Sequence, residues 1–174
     1  DRDPPGSPNP TLLGARQEAW FLDQLGQAAA RGDAVVWVNA GPWVGEPDPG
    51  SDSWSGFAAE RSRLADAIAA LGLEDQMVMV SGDAHMVALD DGTNTDYSTD
   101  QVGGFPLLHA AALDRPGGVK GGPYSHGMFP GGGQFGELEV HDDGESMSIT
   151  LRGLTWEHEV LVEETFPMAV PPAP

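Results

Sequence analysis

The sequence predicts an α/β fold that closes on an antiparallel meander, and three observations predict it. Two short, continuous apolar runs, Ala34 to Val38 and Met77 to Val80, have the pattern of strands buried on both faces. Between them lies a segment with apolar residues at helical spacing, so the order β, α, β implies a parallel pair with a right-handed crossover. After Gln134 the period changes to two, as it does in strands with one wet face.

The chain opens on a Pro-rich polar stretch, residues 1 to 11, expected as an extended arm. From Ala15 to about Arg31, Phe21, Leu22, Leu25, Ala28 and Ala29 mark one face of a helix that Gly32-Asp33 stops. The first strand runs into Asn39-Ala40-Gly41-Pro42. Residues 45 to 53 are turn formers, with Asp52 or Ser53 placed to cap the helix from about Ala58 to Leu71, and Gly72 placed to end it. On that helix Arg61 and Arg63 are expected to be solvated or to pair with Glu60 and Asp66.

The second strand follows and ends at Ser81-Gly82. The stretch from Asp90 to Asp96 has a glycine misplaced for an EF-hand and no closing Glu, so it is read as a solvated turn rich in Asp and Asn. Leu107 to Leu113 is a third candidate strand, with His109 read as a satisfied core residue. Gln134 to Val140, a turn at Asp142-Asp143-Gly144, Met147 to Leu151 and a last strand from Trp156 to Val162 form the meander. Residues 1–166 are taken as one domain unit and 167–174 as a frayed, Pro-rich tail.

Composition narrows the function. Lys and Arg number 8 against 27 Asp and Glu, a formal net charge of −19. Such a surface repels phosphate backbones and anionic lipid, which sets aside nucleic acid and membrane surfaces as main partners and fits a salt-rich habitat or cation binding. The absence of Cys excludes disulfides and thiolate metal sites. No apolar run is long enough to span a membrane, and a first residue other than Met leads us to expect a processed or partial product.

The chemistry concentrates at strand ends. Gly82-Asp83-Ala84-His85 delivers a carboxylate and an imidazole beyond the carboxyl end of a buried strand, where open α/β sheets bind ligands. In extended chain these two side chains would point the same way, which suits a metal or a general acid and base; an ordinary Asx turn is the other reading. Asn39 stands at the end of the neighbouring strand, as an amide ligand or as turn chemistry. In the glycine-rich segment 114 to 134, Arg115, Lys120, Tyr124, Ser125 and His126 form a set of anion donors, with a surface loop as the alternative.

Four stretches resemble the carboxyl-terminal half of the PhoD-like alkaline phosphatases, a branch of the calcineurin-like metallophosphoesterases. They are Leu12-Leu13-Gly14-Ala15-Arg16-Gln17-Glu18-Ala19-Trp20-Phe21-Leu22, Asp52-Ser53-Trp54-Ser55-Gly56-Phe57 with Arg61, Val80-Ser81-Gly82-Asp83-Ala84-His85, and Gly121-Gly122-Pro123-Tyr124-Ser125-His126-Gly127. The resemblance implies half of a two-sheet sandwich flanked by helices, hydrolysis of phosphomonoesters or phosphodiesters, and Fe3+ with Ca2+ as cofactors. It implies Asp83 and His85 as metal ligands, with Asn39 beside them where the family often has Asn-Gln and this chain has Asn39-Ala40; Lys120, Tyr124 and His126 are the substrate-side candidates. It further implies an extracellular or periplasmic destination.

The family's earlier metal motifs have no counterpart here. The chain alone is therefore expected to be incomplete, the rest of the site coming from a missing amino-terminal half or another copy of the chain. A non-catalytic, acidic structural or cation-binding protein is the alternative of a different class.

Overall fold

The structure, a computed structural model, describes residues 3, 7–115 and 117–169. Two helices, α1 (Ala15–Arg31) and α2 (Ala58–Leu71), accompany β1 (Val35–Asn39), β2 (Met77–Ser81), β3 (Met86–Asp90), β4 (Leu107–His109), β5 (Met128–Pro130), β6 (Gln134–Asp142), β7 (Met147–Thr155) and β8 (Val160–Met168). The first five strands form one mixed sheet in the order β1-β2-β4-β3-β5, and β6-β7-β8 form an antiparallel sheet. In the large sheet β1, β2 and β4 are parallel, and β3 runs against both β4 and β5.

Alternation along the strands builds three layers. Met77, Met79, Met86 and Ala88 join Leu25, Leu64 and Ile68 in a core between the sheet and the helices. Val78, Val87, Leu89 and Leu108 face the other way, onto Ile149, Leu151, Val162 and Met168 of the three-stranded sheet. The two sheets approach closely: a Cβ at Gly153 would stand 2.1 Å from Val87 Cγ1. The meander thus packs its apolar face against the large sheet. What stays bare is β1, an edge strand whose Val36 and Val38 are 40% and 78% exposed.

Both helices end as expected, at Gly32 and Gly72 in left-handed conformation with the cap N–H returning to the last turn. A 3-10 turn, Trp54–Phe57, precedes α2 and is capped by the Ser53 hydroxyl, which accepts from Ser55 N–H. Arg61 departs from expectation. It is 1% exposed, donates from Nη1 to the Trp43 carbonyl at 2.6 Å and stacks on Tyr97 at 3.5 Å from the ring centroid. Neighbouring Arg63 pairs instead with Glu18 of α1, and Asp66 accepts from Thr99. Buried Glu60 pins the arm by accepting the N–H groups of Leu12 and Leu13.

Other boundaries shift as well. The third strand is three residues long and stops at His109. The turn from Asp90 is solvated only in part: Asp91 and Thr93 are exposed, whereas Asp90 is fully buried and its carboxylate accepts from Gly92, Asn94 and Ser125. Trp156 and His158 lie in the turn between β7 and β8, outside the last strand. Pro167 and Met168 belong to β8, with Met168 buried; of the tail, 170–174 lie outside the described residues.

Candidate functional site

Three parallel strands end side by side. The register aligns Asn39 of β1 with Ser81 of β2, and Ser81 with His109 of β4, so one row of polar residues closes the carboxyl edge of the sheet. Open α/β sheets take ligands at this edge because the chain leaves in loops there and the backbone groups at the strand ends face outward. The chain leaves β2 through Gly82-Asp83-Ala84-His85 and enters β3 at once.

That loop is not extended. Asp83 has φ 75° and His85 φ 55°, both in the left-handed region that non-glycine residues seldom occupy. The expectation that strand alternation aims the two side chains alike is therefore corrected; a tight turn sets their directions. The Asp83 carboxylate is exposed and His85 is half-buried, and neither side chain has a hydrogen-bond partner among the described residues. Gly117 lies directly against the turn, where a Cβ would come within 2.2 Å of His85 Cβ, so this approach requires glycine.

Beneath the turn sits His109, fully buried. Ala84 N–H donates to its Nε2 at 2.9 Å, so Nδ1 carries the proton and donates to Ser81 Oγ at 2.6 Å. Burial lowers its pKa to about 4, against a rise from Asp83 and with a further lowering from Lys120. The ring is neutral at pH 7.

Asp83 forms a wall common to two clefts. The first, about 480 Å³, is shared with Asn39, Trp37, Trp54, Asp52 and Ser53. The second, about 330 Å³, holds Asp52, Asp48, Glu46 and Lys120. Lys120 donates to the Asp83 carbonyl at 3.4 Å. Asn39 is held tightly: its Oδ1 accepts from Trp54 Nε1 at 3.0 Å and its Nδ2 donates to the Gly41 carbonyl at 2.6 Å. The turn chemistry foreseen for it is realised, and one lone pair of Oδ1 remains.

The anion-donor set does not assemble. Tyr124 is buried among core residues with its hydroxyl unpartnered among the described residues, and burial pushes its pKa up. His126 lies toward the opposite end of the sheet, its N–H on the Leu89 carbonyl and its ring 3.6 Å from Glu164. The cause is local: the buried Asp90 carboxylate takes Ser125 N–H and draws that part of the loop away from Asp83. Only Lys120 of the three reaches the site. His109 is the satisfied core residue the sequence suggests, buried with both ring nitrogens bonded, but its place under the turn was not foreseen, nor was the place of Asp52 in the lining of both clefts.

A family model described as PhoD-like phosphatase matches residues 2–108, which holds α1, α2, β1 to β3 and the Asp83–His85 turn. The chain belongs to the PhoD-like phosphatase family. It is similar to alkaline phosphatase D of Bacillus subtilis (strain 168), 32% identical over 84 residues, which are 45% of this chain and 14% of that protein. A solved structure of PhoD superposes with a TM-score of 0.54 at 16% identity, covering 95% of this chain and 40% of that one. The chain thus spans well under half the length of either PhoD relative, and its mixed α/β architecture matches part of the PhoD structure.

Among the described residues no three His, Asp or Glu side chains come together as a metal-binding group. Ca2+ takes about six to eight oxygen ligands, and iron takes imidazole and carboxylate donors together. The donor set fits part of such a shell: one free carboxylate, one free imidazole and one amide oxygen with a lone pair to spare.

Proposed function

We propose that this PhoD-like chain acts in metal-dependent hydrolysis of phosphomonoesters or phosphodiesters, supplying part of the metal site. The single observation that carries the reading is the turn at the carboxyl edge, where Asp83 and His85, separated by Ala84 alone, keep uncommitted side-chain donor atoms in left-handed backbone. Groups held in rare conformations without structural bonds of their own gather at functional sites.

Asp83 and His85 would hold Fe3+ or Ca2+, with Asn39 offering its carbonyl oxygen from the adjacent strand end. The bound cation supplies Lewis acidity toward a phosphoryl group. Lys120, in the cleft with Asp83, donates to the non-bridging oxygens of the ester and offsets their charge in a cleft whose other charged lining groups are carboxylates. His109 keeps the turn in place, and Trp54 orients Asn39. The remaining ligands come from polypeptide outside these 174 residues, a reading supported by the share of the relatives that the chain spans. Bare Val36 and Val38 on β1 give that polypeptide a sheet edge to cover. We further propose an extracellular or periplasmic destination; no helix among the described residues is long and apolar enough to cross a membrane.

Elemental analysis of the protein isolated from its source, combined with hydrolysis of aryl phosphate mono- and diesters, tests the proposal. Bound iron or calcium, loss of activity on chelation and its return with metal are expected, and Asp83→Asn or His85→Ala should lower metal content and turnover together. A protein that binds no metal and hydrolyses neither ester after metal addition overturns it, leaving the non-catalytic acidic alternative.

A further inference from the structure

The contacts of His109 differ from those of a merely packed core histidine. A backbone N–H is a donor under all conditions, so the bond from Ala84 fixes Nε2 as a lone pair and Nδ1 as the protonated nitrogen. Nδ1–H then has Ser81 Oγ as its acceptor, and the ring has no nitrogen left for solvent or ligand. The two residues it grips bracket the loop: Ser81 is the last residue of β2, and Ala84 stands between Asp83 and His85. Ala84 is itself fully buried, so without the ring its N–H would be an orphan donor in the core. On the other side, Gly117 presses on His85. Left-handed backbone at non-glycine residues persists only where the surroundings over-determine it, and these contacts over-determine the turn.

We propose that His109 is the positioning residue of the Asp83–His85 turn, its neutral Nδ1–H tautomer holding the Ala84 amide and so setting the backbone from which both metal-ligand candidates project. This rests on the reading of Asp83 and His85 as ligands. The residue does not touch metal or substrate; it acts through Ala84.

The test uses the 174-residue chain and nuclear magnetic resonance. In the unsubstituted chain, ring 15N shifts of His109 should report Nδ1–H with Nε2 as acceptor, the Ala84 amide should exchange slowly, and Mn2+ should broaden the Asp83 and His85 signals. His109→Asn keeps a donor for Ser81 but falls short of Ala84; its Ala84 amide should exchange faster, and the Mn2+ concentration needed for the same broadening should rise by about tenfold. His109→Gln places an acceptor near the Nε2 position and should restore most of both.

An Nε2–H tautomer, or His109→Asn with unchanged Mn2+ dependence, overturns the proposal while leaving the metal reading intact. If Mn2+ broadens neither Asp83 nor His85 in the unsubstituted chain, the metal reading fails and the positioning role falls with it. Should His109→Asn not fold, the tautomer of the unsubstituted chain and the His109→Gln titration decide.

Discussion

Trp54 donates its indole N–H to the Asn39 side-chain oxygen across fifteen residues of chain, at 3.0 Å. The bond ties the 3-10 turn before α2 to the end of β1 and holds a candidate ligand amide in one orientation. Trp54 is fully buried and packs edge-on to Trp37 and Trp43. Trp54→Phe keeps an aromatic ring but removes the donor and part of the volume, so a loss of about 1–3 kcal/mol is expected in denaturant unfolding. If Asn39 is a ligand, metal affinity should fall further than in a variant of equal stability loss elsewhere in the core.

Arg61 is a buried cation that forms no ion pair among the described residues, although the Glu46 carboxylate acts on it at longer range. Its charge is met by the Tyr97 ring and the Trp43 carbonyl, and its Nε has no partner among the described residues. Burial lowers its pKa, but a guanidinium remains charged. Arg61→Ala leaves a cavity and an unsatisfied carbonyl, and should cost about 3 kcal/mol or more in chemical denaturation. Arg61→Met fills the space without a buried charge and should cost clearly less. Equal losses for the two would show that the charge, not the packing, is what the site needs.

Acid should weaken the metal-free fold in a window that His109 sets. Its folded value of about 4 lies below the 6.5 of a free imidazole, so the unfolded chain takes up the proton first as pH falls. The contribution is complete above about 6.5 and drains away down to about 4, on the order of 3 kcal/mol in all. Carboxylates such as Asp3, held low by the Thr11 hydroxyl, and Asp143, held low by Ser146 N–H, act in the more acid range below. Urea midpoints of the unsubstituted chain should fall from pH 7 to pH 4.5, and His109→Gln should flatten that slope. An equally steep slope in the variant would assign the window to other groups.

Salt should raise the melting temperature. With 27 acidic side chains against 8 basic ones, the compact state repels itself, and about molar salt shortens the screening length to about 3 Å. The same screening weakens Arg63–Glu18 and the pairs of Arg152 with Glu139 and Glu163. Those are surface pairs worth little each, so the net sign is stabilising. Calorimetry from low to about molar NaCl checks it, and a falling midpoint would contradict it.

Helices and the parallel pair were legible because their signals are local and periodic: apolar residues at helical spacing, a glycine where each helix stops, and unbroken apolar runs for β1 and β2. The Asp83–His85 loop was legible as a site, yet its geometry was not. Alternation suggested a common direction, whereas both residues took left-handed backbone that a buried histidine from another strand helps to hold. Strand β3 is hidden because Met86 to Asp90 follows β2 after only four residues, whose Asp and His draw the reading toward a site, and β5 is too short for any period. Tyr124 and His126 were grouped with Lys120 by sequence proximity. Their separation depends on the four hydrogen bonds of buried Asp90, a residue that composition alone marks as solvated.

Strand β1 offers its outer rim, with two exposed valines, as a template on which a further strand of any origin can grow. At low ionic strength mutual repulsion between highly acidic molecules keeps such rims apart. Added salt steadies each molecule and, by the same screening, lets rims meet. Handling of the isolated chain is therefore governed by a compromise: the ionic strength that best preserves the individual fold is also the one at which copies most readily stitch together along β1.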